Sequence, residues 1–102
     1  MKNQIIIDVK LDEQKIPAEI SWTTTQQEEA MAAKAFFLSL FDPVNKDTLK
    51  IDLWTKDMNV QDMEVFMHNT LKAMGRSYAK AVSNPTAVEK FDKLADELYD
   101  EK

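Results

Sequence analysis

The stretch Leu49-Lys50-Ile51-Asp52-Leu53-Trp54-Thr55-Lys56-Asp57-Met58 decides how the rest of the chain reads. Leu49, Ile51 and Leu53 alternate with Lys50, Asp52 and Trp54, which is the period of a strand with two distinct faces. Thr55 to Met58 are polar or capping residues, so the chain turns sharply there and enters a helix at Asn59. Just upstream, Asp42-Pro43-Val44-Asn45-Lys46-Asp47 is a turn with a mechanism: Pro43 presets φ and Asn45 tolerates a left-handed conformation. The apolar residues before it, from about Lys34 to Phe41, form the partner strand. In the resulting hairpin Leu40 faces Leu49, Leu38 faces Ile51 and Phe36 faces Leu53, and every pair is apolar.

Working outward, Gln4–Leu11 and Ile16–Thr23 alternate in the same way. Ile5, Ile7, Val9 and Leu11 share one face, as do Ile16, Ala18, Ile20 and Trp22. Closing them with the loop Asp12-Glu13-Gln14-Lys15 predicts Leu11 opposite Ile16, Val9 opposite Ala18, Ile7 opposite Ile20 and Ile5 opposite Trp22. Pro17 cannot donate to a ladder, which predicts an edge position for this second strand. In the connecting segment Thr25 and Glu28 are spaced as a capping box, and Glu28 to Ala33 favour helix. A short turn of helix or an ordered loop is expected there.

Downstream, Asn59 is a good N-cap with Asp62 at the third helical position. Val60, Met63, Met67, Leu71, Met74 and Tyr78 recur every three or four residues and make an apolar stripe. The chain's single glycine, Gly75, sits inside this helix, where it costs about 1 kcal/mol relative to alanine. It marks a close approach to another element. Ser83-Asn84-Pro85 stops the helix and starts a second one, with Asn84 as cap and Pro85 at the first position. Val88, Phe91, Leu94, Ala95 and Leu98 line that second helix, and Asp100-Glu101-Lys102 is expected to fray. The fold class is therefore α+β: a four-stranded antiparallel sheet from two β-hairpins, followed by two C-terminal helices packed on one face. The 102 residues read as a single domain, 1–102.

Composition narrows the function. Net charge is −5 with the acids spread along the chain, so the basic face that nucleic acid or an anionic membrane surface requires is missing. There is no cysteine, which removes disulfides, thiolate chemistry and lipidation at sulfur. The apolar run at Ile5-Ile6-Ile7 is too short for an export signal, and no stretch approaches a membrane span. A cytoplasmic protein without direct membrane insertion is expected. One glycine cannot build a phosphate-cradling loop, so nucleotide cofactors are not expected.

Catalytic constellations are absent from the pattern. His68 is the only histidine, lies at the edge of the helix stripe, and has no cysteine to activate. The serines sit in no nucleophile elbow. Asp42, Asn45, Asp47 and Asp52 lack the spacing, glycine and closing glutamate of a calcium loop. No catalytic residue, metal ligand or cofactor is expected, and the chain reads as a non-enzyme. The methionines on the helix stripe read as ordinary core filling.

The other face of the second hairpin carries the functional signal. Phe37, Phe41 and Trp54 point opposite to the face of Phe36, Leu38, Leu40, Leu49, Ile51 and Leu53, and Lys50 and Asp52 share their side. A contiguous surface of two phenylalanines and a tryptophan is too apolar for open water. Either the 23–33 segment or a helix covers it, or it is a protein interface with Trp54 as anchor and Lys50 and Asp52 orienting the partner. Sheet stacking into a homodimer is one form of that interface.

Leu49 through Met58, together with Val9-Lys10-Leu11-Asp12-Glu13, Ile20-Ser21-Trp22 and Phe66-Met67-His68-Asn69-Thr70-Leu71, resembles the gliding-motility family GldC of Bacteroidetes. The resemblance runs from about Ile5 to Ala79. It implies a small cytoplasmic accessory protein of the gliding machinery, with no assigned enzymatic activity and with a machinery component as protein partner. On order of elements alone, the β4α2 pattern is also similar to export chaperones of the SecB type. A small-ligand or lipid carrier with a cavity between sheet and helices is the third class.

Overall fold

The computed structural model describes residues 1–100, and the expected fraying of Glu101 and Lys102 lies outside them. The chain forms two compact units, the first ending at Met58 and the second starting at Asn59.

The first unit holds five strands: β1 (Ile5–Leu11), β2 (Pro17–Thr24), β3 (Met31–Ala33), β4 (Ala35–Phe41) and β5 (Thr48–Trp54). They do not make one four-stranded sheet. β1, β2 and β3 form a three-stranded antiparallel sheet in that order, and β4 and β5 form a separate two-stranded one. The physical reason is β3. Met31, Ala32 and Ala33 pair with Trp22, Ser21 and Ile20, so β2 has a neighbour on each side and offers no edge to the second hairpin. The chain then bends at Lys34 and β4 starts the second sheet, a corner at which one run of strand leaves one sheet for another. Of the short turn of helix or ordered loop expected in this segment, no helix forms, and its last three residues, Met31–Ala33, are a strand that was not expected. Strand pairing along β2 outweighs the helix propensity of that run, a weak bias of less than about 1 kcal/mol per residue.

The same geometry corrects two further expectations. Pro17 does not mark an edge strand, because β2 is central. It sits at the strand's first residue, beyond the reach of β3, where its missing N–H leaves no gap, and its carbonyl accepts from Lys56 N at 3.0 Å. The β1–β2 register is displaced by two residues, with Ile7 opposite Trp22 and Val9 opposite Ile20. Asp12 causes the displacement. Its carboxylate accepts from Gln14 N at 2.8 Å and Ile16 N at 3.0 Å, and its own N–H donates to Ile16 O at 2.9 Å. That clasp draws Ile16 into the turn, and a bulge at Lys10/Leu11 takes up the odd residue. A shift of two keeps the faces intact, so Ile7 and Trp22 still share the side of Ile20.

The β4–β5 register is as expected, with Leu40 opposite Leu49, Leu38 opposite Ile51 and Phe36 opposite Leu53. The Asp42 side chain closes this turn by accepting from Val44 N and from Asn45 Nδ2, both at 3.0 Å. The left-handed residue is Lys46, with φ 65°, rather than Asn45.

The second unit is a helical hairpin of α1 (Val60–Val82) and α2 (Ala87–Tyr99). Asn59 caps α1 by accepting from Asp62 N at 2.7 Å. Ser83 ends it in the left-handed region at φ 55°, and its N–H returns to Ala79 O. Asn84 does not cap α2. Its Oδ1 accepts instead from the Thr86 hydroxyl at 2.8 Å, which holds the tight connection in shape. Small residues line the helix contact: Gly75 and Ala79 on α1, Ala87 and Ala95 on α2, all buried. With so little side chain between them the two backbones approach closely. Phe91 lies against Gly75 and stacks obliquely on Tyr78 at 6.0 Å.

Candidate functional site

Pairing across β4 and β5 puts Ala35 beside Trp54, Phe37 beside Asp52, Ser39 beside Lys50 and Phe41 beside Thr48. Alternate positions of a ladder share a face, so Phe37, Phe41, Trp54, Lys50 and Asp52 are brought together as the alternation implied. Trp54 is 51% exposed and Phe41 64%, while Phe37 is half-buried. Lys50 Nζ and Asp52 Oδ2 form an ion pair at 2.7 Å between the two ends of that patch. Lys46 Nζ stands 6.0 Å from the Phe41 ring centre, the outer limit of a cation–π contact.

The opposite face departs from the expected core. Phe36, Leu38 and Leu53 are half-buried, but Leu40, Leu49 and Ile51 are exposed, as is Val44 in the turn at 82%. The outer half of this hairpin therefore presents apolar side chains on both faces. Sequence reasoning missed this, although Val44 in the turn was the available signal. Its apolar side chain sits where a turn would ordinarily carry a polar one.

Other features are structural. Thr55 is the buried polar residue among those described; its hydroxyl donates to Asp57 Oδ1 at 2.5 Å and its N–H to Lys34 O at 2.8 Å. The hydroxyl holds the Asp57 carboxyl below its ordinary pKa. Lys56, followed by the Ile16 N–H, does the same for Asp12. An open groove of about 930 Å³ on the first unit is lined by Lys10, Glu19, Ser21 and Asp57 together with Val9, Ile20 and Met31 among others, a surface of mixed character. A smaller apolar one of about 250 Å³ lies among Ile5, Ile7, Ile20, Trp22, Ala33 and Phe36. Among the described residues no three histidine or acidic side chains gather as a metal would need, and no helix is long and apolar enough to cross a membrane.

His68 clasps the open end of the helical hairpin. Its Nε2 lies 2.8 Å from Asp96 Oδ1, Lys72 Nζ reaches the same oxygen at 3.1 Å, and the imidazole packs at 4.9 Å on the Tyr99 ring. The His68 bond first, and then Lys72, hold the Asp96 carboxyl below its ordinary value of 3.8. A depressed carboxylate contributes stability above its unfolded pKa and loses it as pH falls through the folded one. Asp96→Asn is therefore expected to lower hairpin stability at neutral pH, where the wild-type carboxylate is charged, and to differ little from wild type well below about pH 4, so that the acid limb is flattened. Helical circular dichroism against pH checks this, and an unchanged acid limb counts against the clasp.

What the fold defines is an α+β chain of two small antiparallel sheets and a helical hairpin, in which the two-stranded sheet exposes apolar side chains on both faces. Comparison with known proteins makes it more specific. Residues 17–102 match the family model described as gliding motility-associated protein GldC-like. The chain belongs to the GldC-like family, which is associated with gliding motility. The matched range begins at Pro17, so it omits β1 and takes in both helices. No curated protein and no solved structure matches the chain.

Proposed function

We propose that this chain serves gliding motility as a non-enzymatic, cytoplasmic accessory protein that binds a protein component of the gliding machinery through the β4–β5 hairpin. The observation that carries the reading is the exposure of Leu40, Phe41, Val44, Leu49 and Trp54 on a two-stranded arm whose two faces are both apolar. A lone two-stranded ribbon is marginal in water, and one carrying this much apolar surface is stabilised when a partner covers it. Trp54 is the anchor, a large rigid side chain at the point where the arm leaves the body of the unit. Phe37 and Phe41 extend the contact along the same side, and the Lys50–Asp52 pair gives it a polar, orienting feature.

The test is a photo-crosslinking amino acid placed at Trp54, and separately at Phe41, in living gliding cells. Adducts with one motility component are expected from both positions. Self-adducts would replace the partner reading with a hairpin-mediated homodimer. Adducts scattered over many proteins would favour a chaperone of the SecB kind. No adduct from either position would overturn the proposal.

A further inference from the structure

The helical hairpin has an open apolar side of its own. Val60, Met74, Tyr78, Leu94 and Leu98 are all exposed, and Val60, Met63, Met67 and Leu98 line one groove of about 280 Å³ between the helices. The charge on this hairpin is polarised along its length. Its open half, residues 59–70 and 94–100, holds Asp62, Glu64, Asp96, Glu97 and Asp100 and neither lysine nor arginine. Its connection half, residues 71–82 and 87–93, holds Lys72, Arg76, Lys80, Lys90 and Lys93 against Glu89 and Asp92. One end is acidic and the other is basic.

We propose that this side closes against a second copy of the chain, in an antiparallel four-helix arrangement that sets each open end on the other copy's connection end. A two-fold axis lying in the contact plane, across the helices, does this: it reverses the direction of the copy and places α1 on α1 and α2 on α2. A parallel stacking would oppose two acidic ends and is excluded by like-charge repulsion. The levels of the two helices agree on where the axis passes. His68 lies level with Asp96 and Arg76 with Asp92, which puts Leu71 level with Ala95. About that level the apolar residues of α1 find apolar mates: Val60 meets Val82, Met63 meets Tyr78 and Met67 meets Met74.

The rim of α2 supplies the matching polar pair. At 3.6 residues per turn, Lys90 and Glu97 lie on the same outer flank of the Leu94–Leu98 stripe, one toward each end. The axis sets Lys90 of each copy within one helical turn of Glu97 of the other, an offset of about 4.5 Å along the helices that the long lysine side chain spans. Within one chain Glu97 is held only loosely by Lys93, at 3.9 Å. Leu94, 46% exposed and beside the axis, faces its own mate.

The chain has no cysteine, so a single introduced thiol reports alone. Leu94→Cys is expected to oxidise to a symmetric disulfide dimer, whereas Val60→Cys, whose mate lies at the far end of the other copy, is not. The charge test uses mixing. Lys90→Glu alone and Glu97→Lys alone each make like pairs, and each is expected to weaken self-association about tenfold, from two rim contacts at under about 1 kcal/mol apiece. Mixed together, the two variants carry opposite charges at every contact and recover the wild-type affinity. Sedimentation of the full chain reads all three. Circular dichroism on each variant confirms that these exposed substitutions leave the helices formed. A wild-type chain that stays monomeric overturns the proposal, and so does a mixture that recovers nothing. Efficient Val60→Cys cross-linking, or a dimer lost only on Trp54→Ser, also overturns it.

Discussion

Gly75→Val is expected to destabilise the helical hairpin by about 3 kcal/mol, the upper range of overpacking, and to lower the melting temperature by more than about 10 °C. An added Cβ at Gly75 would lie 2.5 Å from Phe91 Cβ and 2.8 Å from Phe91 Cγ. The nearer atom is fixed to the α2 backbone, so no rotation of the Phe91 ring relieves it. The helices must separate, and the packing of Ala79 and Ala95 loosens with them. Helix propensity pulls the other way: replacing glycine by alanine in a helix interior gains about 1 kcal/mol. Gly75→Ala therefore sets the two effects against each other, and a net loss of about 1 kcal/mol is expected because the clash is with a backbone-anchored atom. Phe91→Ala should not rescue Gly75→Ala, since the offending Cβ survives that change. Urea unfolding followed by helical circular dichroism measures all of these. A stabilised Gly75→Ala variant would show that propensity wins and that the close approach is absent.

How far the fold could be read from the chain depended on whether local chemistry was sufficient. The β4–β5 register could be read because Asp42, Pro43 and Asp47 bound a turn of definite length and every facing pair was apolar. The β1–β2 register could not, although its strands were clear, because the Asp12 carboxylate drew Ile16 into the loop and moved the pairing by two. Both registers satisfy the same alternation, so hydrophobic pattern alone cannot separate them. β3 was hidden for another reason. Three residues with helical neighbours carry no periodicity of their own, and only the free edge of β2 makes them a strand. That single addition turned one expected sheet into two.

The candidate surface was partly legible. Phe37, Phe41, Trp54, Lys50 and Asp52 fell on one face because alternation is a local property. Exposure is not, and the outward Leu40, Leu49 and Ile51 on the other face depend on what the rest of the chain leaves uncovered. The His68–Asp96 clasp also joins residues far apart in sequence. Its trace was nevertheless present: His68 with Asp96 and Arg76 with Asp92 lie nearly symmetrically about the Ser83–Pro85 break, as pairs across an antiparallel helical hairpin must.

Trp54→Ser combined with Phe41→Ser is expected to weaken capture of the proposed gliding-machinery partner at least about 30-fold, the effect of losing about 2 kcal/mol or more at a binding hot spot. Folding should be nearly untouched. Both side chains are more than half exposed, and substitutions at such strand positions span about 1 kcal/mol. Ile20→Ala is the necessary contrast. Ile20 is 3% exposed at the centre of the β1–β2–β3 sheet, and its truncation should remove about 2–5 kcal/mol of stability. Ile20→Ala would therefore also lower capture, but only by lowering the folded fraction, and its melting temperature would fall with it. The hairpin variant should lose binding at an unchanged melting temperature. Pull-down titration and thermal unfolding of the same preparations separate the two. If the hairpin variant bound normally, the partner would have to engage another surface. If it melted as early as Ile20→Ala, Phe41 and Trp54 would belong to the core of the first unit and not to its interface.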